Sequence, residues 1–131
     1  MELSAYLEEA AGRPFSYDGN DCLLGFVGGW VQAVTGQDRA APYRGRYRTE
    51  LGCLRLVRRE GGVEAIMRRA LDGFPEVKKP EAGDVGCVLV PTDHGPVPIG
   101  GIYAGSRWAG LTAKGVLFAP FTALAIWRLH G

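Results

Sequence analysis

The chain of 131 residues predicts an α+β domain with an antiparallel sheet. Apolar stripes at helical spacing fill residues 1–74. Strand-like runs cut by glycine and proline fill residues 83–130. The two styles follow one another without alternating, and helices segregated from strands point away from a parallel, crossover-connected sheet. With 47% hydrophobic and 22% charged residues, the chain fits one domain able to bury a core without staples. Internal repeats and low-complexity tracts are absent from the sequence.

Leu3, Tyr6, Leu7, Ala10 and Ala11 recur at helical spacing, so residues 2–11 read as a short amphipathic helix, ended by Gly12 and Pro14. Residues 12–20 form a loop with the turn-prone Asp18-Gly19-Asn20. Asp21 is a good N-cap for the next helix, because its carboxylate can accept free N–H groups two and three residues on. Behind it Cys22, Leu23, Phe26, Val27, Trp30, Val31 and Val34 form a wide apolar stripe that stops at Gly36. This is the strongest periodicity in the chain and marks the central core helix.

Residues 37–48 are an arginine-rich linker, with Arg39, Arg44, Arg46 and Arg48 and with Tyr43 and Tyr47 between them. Thr49 caps a third helix to about Glu60. Gly61-Gly62 breaks it, and Val63, Ile66, Met67, Ala70 and Leu71 give a fourth helical face. Strands are expected at 85–90 (VGCVLV), 99–105 (IGGIYAG), 116–120 (VLFAP) and 123–129 (ALAIWRL), with a turn-rich connection over 91–98. Trp30 and Trp127 read as packing residues, Trp108 as a surface contact.

The net charge of +1 gives no global pull towards nucleic acid or an acidic membrane. Three widely spaced cysteines, Cys22, Cys53 and Cys87, suit a reducing compartment and neither a disulfide framework nor a zinc site. No metal or other cofactor is expected. The N-terminus lacks a basic, then apolar, leader, and no run approaches the ~20 apolar residues of a membrane span. Synthesis in the cytoplasm is therefore expected.

The motifs in their order resemble those of the NlpC-type cysteine peptidases, which have a papain-like fold. PFSYDGNDCLLGFVGGWV resembles that family's aromatic-rich loop leading to Asp-Cys at a helix start. EAGDVGCVLV (81–90) is similar to its Gly-Asp motif opening the first core strand. IGGIYAG (99–105) is similar to its second strand, usually His-Val-Gly-Ile-Tyr-x-Gly. The remainder resembles a narrower branch of small phage and prophage proteins met among tail genes. Its marks here are the Arg44 to Arg48 segment, the Gly-Gly break and the terminal strand from Ala123 to Arg128. The resemblance spans nearly the whole chain. It implies a central Cys22-bearing helix packed on an antiparallel sheet of four to six strands.

The family's chemistry needs a thiolate at a helix N-terminus, where the dipole lowers its pKa. It also needs a histidine on the neighbouring strand to take the proton, and backbone N–H groups at the helix start to hold the oxyanion. Cys22 matches the nucleophile and Asp21 its capping neighbour. The position matching the histidine is Ile99, which can accept no proton. Phe15 stands where a site tyrosine is usual, and Leu23-Leu24 stand where a small Ser-Gly pair is usual, narrowing the groove. Losing a base that also activates the nucleophile forfeits up to ~10⁶ in rate.

The resemblance thus implies a phage-tail-associated protein with a degenerate peptidase site. Its role would be structural or in assembly at the tail tip, with other tail proteins as partners and the virion as destination. Two other readings stay open. One is a peptidoglycan amidase or endopeptidase using Cys22 with His94 or a base from a partner chain. The other is a thiol acyltransferase. Each residue also has a plainer reading. Cys22 is a small buried hydrophobe. His94 is a solvent-facing turn residue, up to ~16 Å along an extended chain from position 99. His130 is an exposed terminal residue, and Asp84 fixes a turn. Arg44, Arg46, Arg48 and Tyr47 are either a contact for an anionic partner or a solvated loop.

Overall fold

Tyr6, Leu7 and Ala10 share the buried side of the first helix, α1 (Leu3–Ala11), in the computed structural model, which describes residues 2–129. The Tyr6 hydroxyl donates to the Phe26 carbonyl at 2.5 Å and the Gly25 carbonyl at 3.1 Å, tying α1 to the next helical segment. That segment was expected as one helix from Asp21 to Gly36. It opens instead as a π-helical turn, Cys22–Val27, in which the Phe26 N–H donates to the Asp21 carbonyl at 3.0 Å. It then continues as α2 (Gly28–Thr35). A widened turn of this kind is a local insertion in an α-helix.

A short 3₁₀ turn, Ala41–Tyr43, sits inside the arginine-rich linker. In α3 (Glu50–Arg59) the Thr49 hydroxyl accepts the Gly52 N–H at 3.1 Å. Glu50 in the first turn and Arg58 and Arg59 in the last complement the helix dipole. Gly61 and Gly62, with φ of +93° and +108°, turn the chain into α4 (Val63–Ala70), a conformation that costs glycine nothing. Among the described residues no helix is long and apolar enough to cross a membrane.

Six strands follow: β1 (Glu76–Val77), β2 (Val85–Val90), β3 (Val97–Tyr103), β4 (Trp108–Thr112), β5 (Gly115–Ala119) and β6 (Thr122–Trp127). They form one antiparallel sheet in the order β1-β6-β2-β3-β4-β5. Among the described residues, four helices and this sheet make a single α+β domain. The strands expected at 99–105, 116–120 and 123–129 each begin and end one or two residues earlier. β1 and β4 were not foreseen.

The register sorts the sheet into two faces. Cys87 pairs with Gly100 and with Ala125. Together with Val85, Ile102, Ala109 and Trp127 these residues look towards the helices, where Phe26, Val27, Trp30, Val31 and Met67 complete the main core. The Trp30 indole N–H donates to the Gly83 carbonyl at 2.8 Å, anchoring α2 beside the start of β2. Val88, paired with Ile99, lies on the opposite face with Trp108 and Ile126.

Trp108 is therefore no surface contact. It is 3% exposed, and its ring lies where a side chain on Gly86 would stand, 2.8 Å from that Cβ position. Bare backbone on β2 receives a large ring from β4, and burying such a ring is worth on the order of 4 kcal/mol. His130 lies outside the described residues.

Candidate functional site

Asp21 does what its position predicts. One carboxylate oxygen, Oδ1, accepts the Leu23 N–H at 3.1 Å and the Leu24 N–H at 2.7 Å. The other, Oδ2, accepts the Tyr47 hydroxyl. The carboxylate is 3% exposed, so these bonds replace the water it has lost. Burial and the Asp21 charge push the Tyr47 phenol well above the usual tyrosine range. Tyr47 also interacts with Cys53, whose thiol is pushed up by its own burial first. A carboxylate, two thiols and a phenol thus meet around the start of the Cys22 helix.

This arrangement reverses the electrostatics expected of Cys22. A helix N-terminus favours thiolate through its free N–H groups. Here the Leu23 and Leu24 groups are spent on Asp21. Burial pushes the Cys22 thiol up to about 12, the Asp21 charge adds to the rise, and the Gly100 amide offsets part of it. The same two bonds take away donors that an oxyanion would need. Cys22 is a half-buried, protonated thiol.

Ile99 and Gly100 exchange the roles the sequence suggests. Ile99 sits on the face of β3 turned away from the helices, among the residues packed on Val88 and Trp108. Gly100 is the residue that faces the Cys22 turn. A Cβ there would lie 2.9 Å from Leu23 Cδ2, 2.9 Å from Val27 Cγ2 and 3.1 Å from the Cys22 carbonyl oxygen. The helix start rests directly on bare strand backbone, leaving no room for an imidazole. Phe15 packs edge-on against Tyr17, with ring centroids 4.8 Å apart.

His94 is exposed in the turn between β2 and β3, its backbone N–H donating to Thr92 Oγ1 at 3.2 Å. Among the described residues no hydrogen bond joins it to Cys22. Asp84 is 1% exposed and structural: it accepts the Glu81 N–H at 2.8 Å and Arg128 Nη2 at 2.9 Å. This clamp closes the start of β2 onto the end of β6.

The arginine segment divides. Arg44 forks onto Asp38 at 2.8 and 3.0 Å, and Arg46 pairs with Glu60 at 3.5 Å. Arg48 is exposed. Tyr47, expected as a partner contact, is 7% exposed and faces inward to Asp21, because the buried carboxylate needs a donor. Nothing in the pattern Arg-Gly-Arg-Tyr-Arg distinguishes an inward tyrosine from an outward one. Gly100 was missed for a different reason: two adjacent glycines show no alternation that would fix a face.

Two hollows lie near these residues. One, of about 40 Å³, is almost wholly apolar and lies among α2, α3 and α4. The other is an open cleft of about 520 Å³ beside the loop 13–20. Neither is lined by Cys22.

The family described as Domain of unknown function (DUF6950) matches residues 1–129. No curated protein and no solved structure matches the chain.

Proposed function

The chain belongs to that DUF6950 family, and within it we propose a papain-like, NlpC-type domain that performs no peptidase chemistry and serves as a structural or assembly component of a phage tail or tail-like particle. The observation that carries the reading is the environment of Cys22. Its thiol is pushed up to about 12, its strand neighbour is Gly100, and the Leu23 and Leu24 amides are spent on Asp21. Nucleophile activation and base fail together, and catalytic groups that act as a unit are lost as a unit. The papain-like part of the reading is supported by a capped Cys-bearing helix lying on an antiparallel sheet. The tail part is supported by the order of the sequence motifs from Arg44 to Arg128.

Incubating the purified chain with peptidoglycan tests the first part. The expected result is no turnover above that of the Cys22→Ala variant. Cleavage abolished by Cys22→Ala would instead establish the amidase or endopeptidase reading. For the second part, particles carrying Cys22→Ala should assemble and infect normally. Reversing the charge at Arg46 and Arg48 should reduce assembly. Normal particles in the complete absence of the gene would remove the tail role.

A further inference from the structure

Beside the loop 13–20 lies a shallow, open cleft of about 520 Å³. It is lined by Gly25 and Gly29 and by Arg13, Asn20, Gln32 and Arg44. Gly29 is bare because α1 packs against it. A Cβ on Gly29 would stand 2.6 Å from the Tyr6 hydroxyl, the group that fastens α1 to the Gly25 and Phe26 carbonyls. The loop wall is also fixed. Ser16 and Asn20 exchange backbone hydrogen bonds of 3.0 Å in both directions, and Asn20 Nδ2 donates to the Pro14 carbonyl at 2.7 Å.

The two arginines are held differently. Arg44 uses Nε and Nη2 on Asp38, which leaves Nη1 and one Nη2 hydrogen for another acceptor in a fork of fixed orientation. Arg13 lies with its guanidinium carbon 6.0 Å from the centre of the Tyr6 ring. Asp38 offsets the Arg44 charge, and no carboxylate lies within ion-pair distance of Arg13 among the described residues. Asp21 does not line it, its oxygens being occupied by two amides and Tyr47.

The geometry points to a binding site for a small-molecule oxyanion, a phosphate or carboxylate group held between Arg13 and Arg44 over the Gly25–Gly29 backbone. Guanidinium groups grip such anions through charge-assisted, often paired hydrogen bonds. The exposed Gln32 amide offers a neutral donor and acceptor to the rest of the ligand. The site is independent of Cys22 and of any role in a particle.

Amide NMR of the intact chain, titrated with sodium phosphate and separately with sodium acetate against sodium chloride at matched ionic strength, tests this. Saturable shifts are expected at the amides of Gly19, Gly25 and Gly29, with affinity about tenfold weaker in Arg13→Gln. A response to phosphate alone assigns a phosphoryl ligand. A response to acetate as well assigns carboxylates too, and both uphold the site. Arg44→Gln should weaken binding similarly, and Arg13→Gln carries the test if loss of the Asp38 pair disturbs the fold. Shifts that merely follow ionic strength, or saturable binding unchanged by Arg13→Gln, would overturn the assignment.

Discussion

Alkylation of Cys22 separates two opposed effects at one atom, the helix dipole and the buried carboxylate beside it. With the thiol at about 12, the thiolate fraction at pH 7.5 is ~3 × 10⁻⁵, against ~10⁻¹ for an unfolded cysteine of pKa ~8.5. The thiolate that does form is more nucleophilic, which returns a factor of roughly 30–40. The net expectation is iodoacetamide labelling about 10²-fold slower in the folded chain than in concentrated urea, before any steric protection. Peptide mass spectrometry over a time course reads all three thiols at once. Half-buried Cys53 should label first. Cys87, fully buried and pushed up to about 11, should stay protected with Cys22. Asp21→Asn removes the second cause of the shift but not the first, so labelling of Cys22 should quicken yet stay slower than in urea. Labelling of native Cys22 as fast as in urea would refute the reasoning, because the dipole would then have won.

The same shifts set an alkaline limit. Thiols raised to about 12 and about 11 contribute stability that is complete below the unfolded pKa of ~8.5 and is lost as pH climbs towards the folded values, by at most about 1.4 kcal/mol per pH unit per thiol. Thermal midpoints should fall between about pH 8.5 and 11, less steeply in Cys22→Ala, and a flat profile would contradict the burial assigned to both. Ile99→His should create no peptidoglycan turnover and leave Cys22 labelling unchanged, since that side chain faces away from the thiol; a gain of activity would show that the face is wrongly assigned. Arg128→Ala removes the guanidinium that Asp84 accepts from, while Asp84 is 1% exposed, and should lower the thermal midpoint in calorimetry; an unchanged midpoint would mean water replaces the guanidinium. Tyr47→Phe withdraws a donor from buried Asp21 and should cost about 1–3 kcal/mol in urea unfolding, where no change would deny the bond.

The helices were legible because their signals are local. Asp21 and Thr49 cap the helical segments that start one residue later, and the stripes through Tyr6-Leu7-Ala10 and Ile66-Met67 bury the side their spacing implies. The widened first turn at Cys22 was not legible, since a π turn keeps the same apolar residues and changes only which amide bonds which carbonyl. Strand β4 hid because Gly105-Ser106-Arg107 reads as a turn and Gly110 interrupts the alternation; Trp108 finds its place only against Gly86, 22 residues earlier in the chain. The Tyr47–Asp21 bond spans 26 residues. No local pattern encodes it.

What the site teaches is that position along a helix does not by itself make a thiol reactive. Placing Cys22 one residue after a cap looks favourable, yet the cap that stabilises the helix consumes the amides from which the advantage would come. Its charge, held in a dry setting by Tyr47, then acts on the neighbouring sulfur with the wrong sign. Restoring chemistry would take more than one histidine. At position 99 it would point to the far side of the sheet. At position 100 its Cβ would meet Leu23 and Val27 at 2.9 Å, an overpacking worth about 1–3 kcal/mol before any proton moved. The contact that seats the helix on the sheet and the vacancy a base would need compete for the same few ångströms, and in this chain packing has taken them.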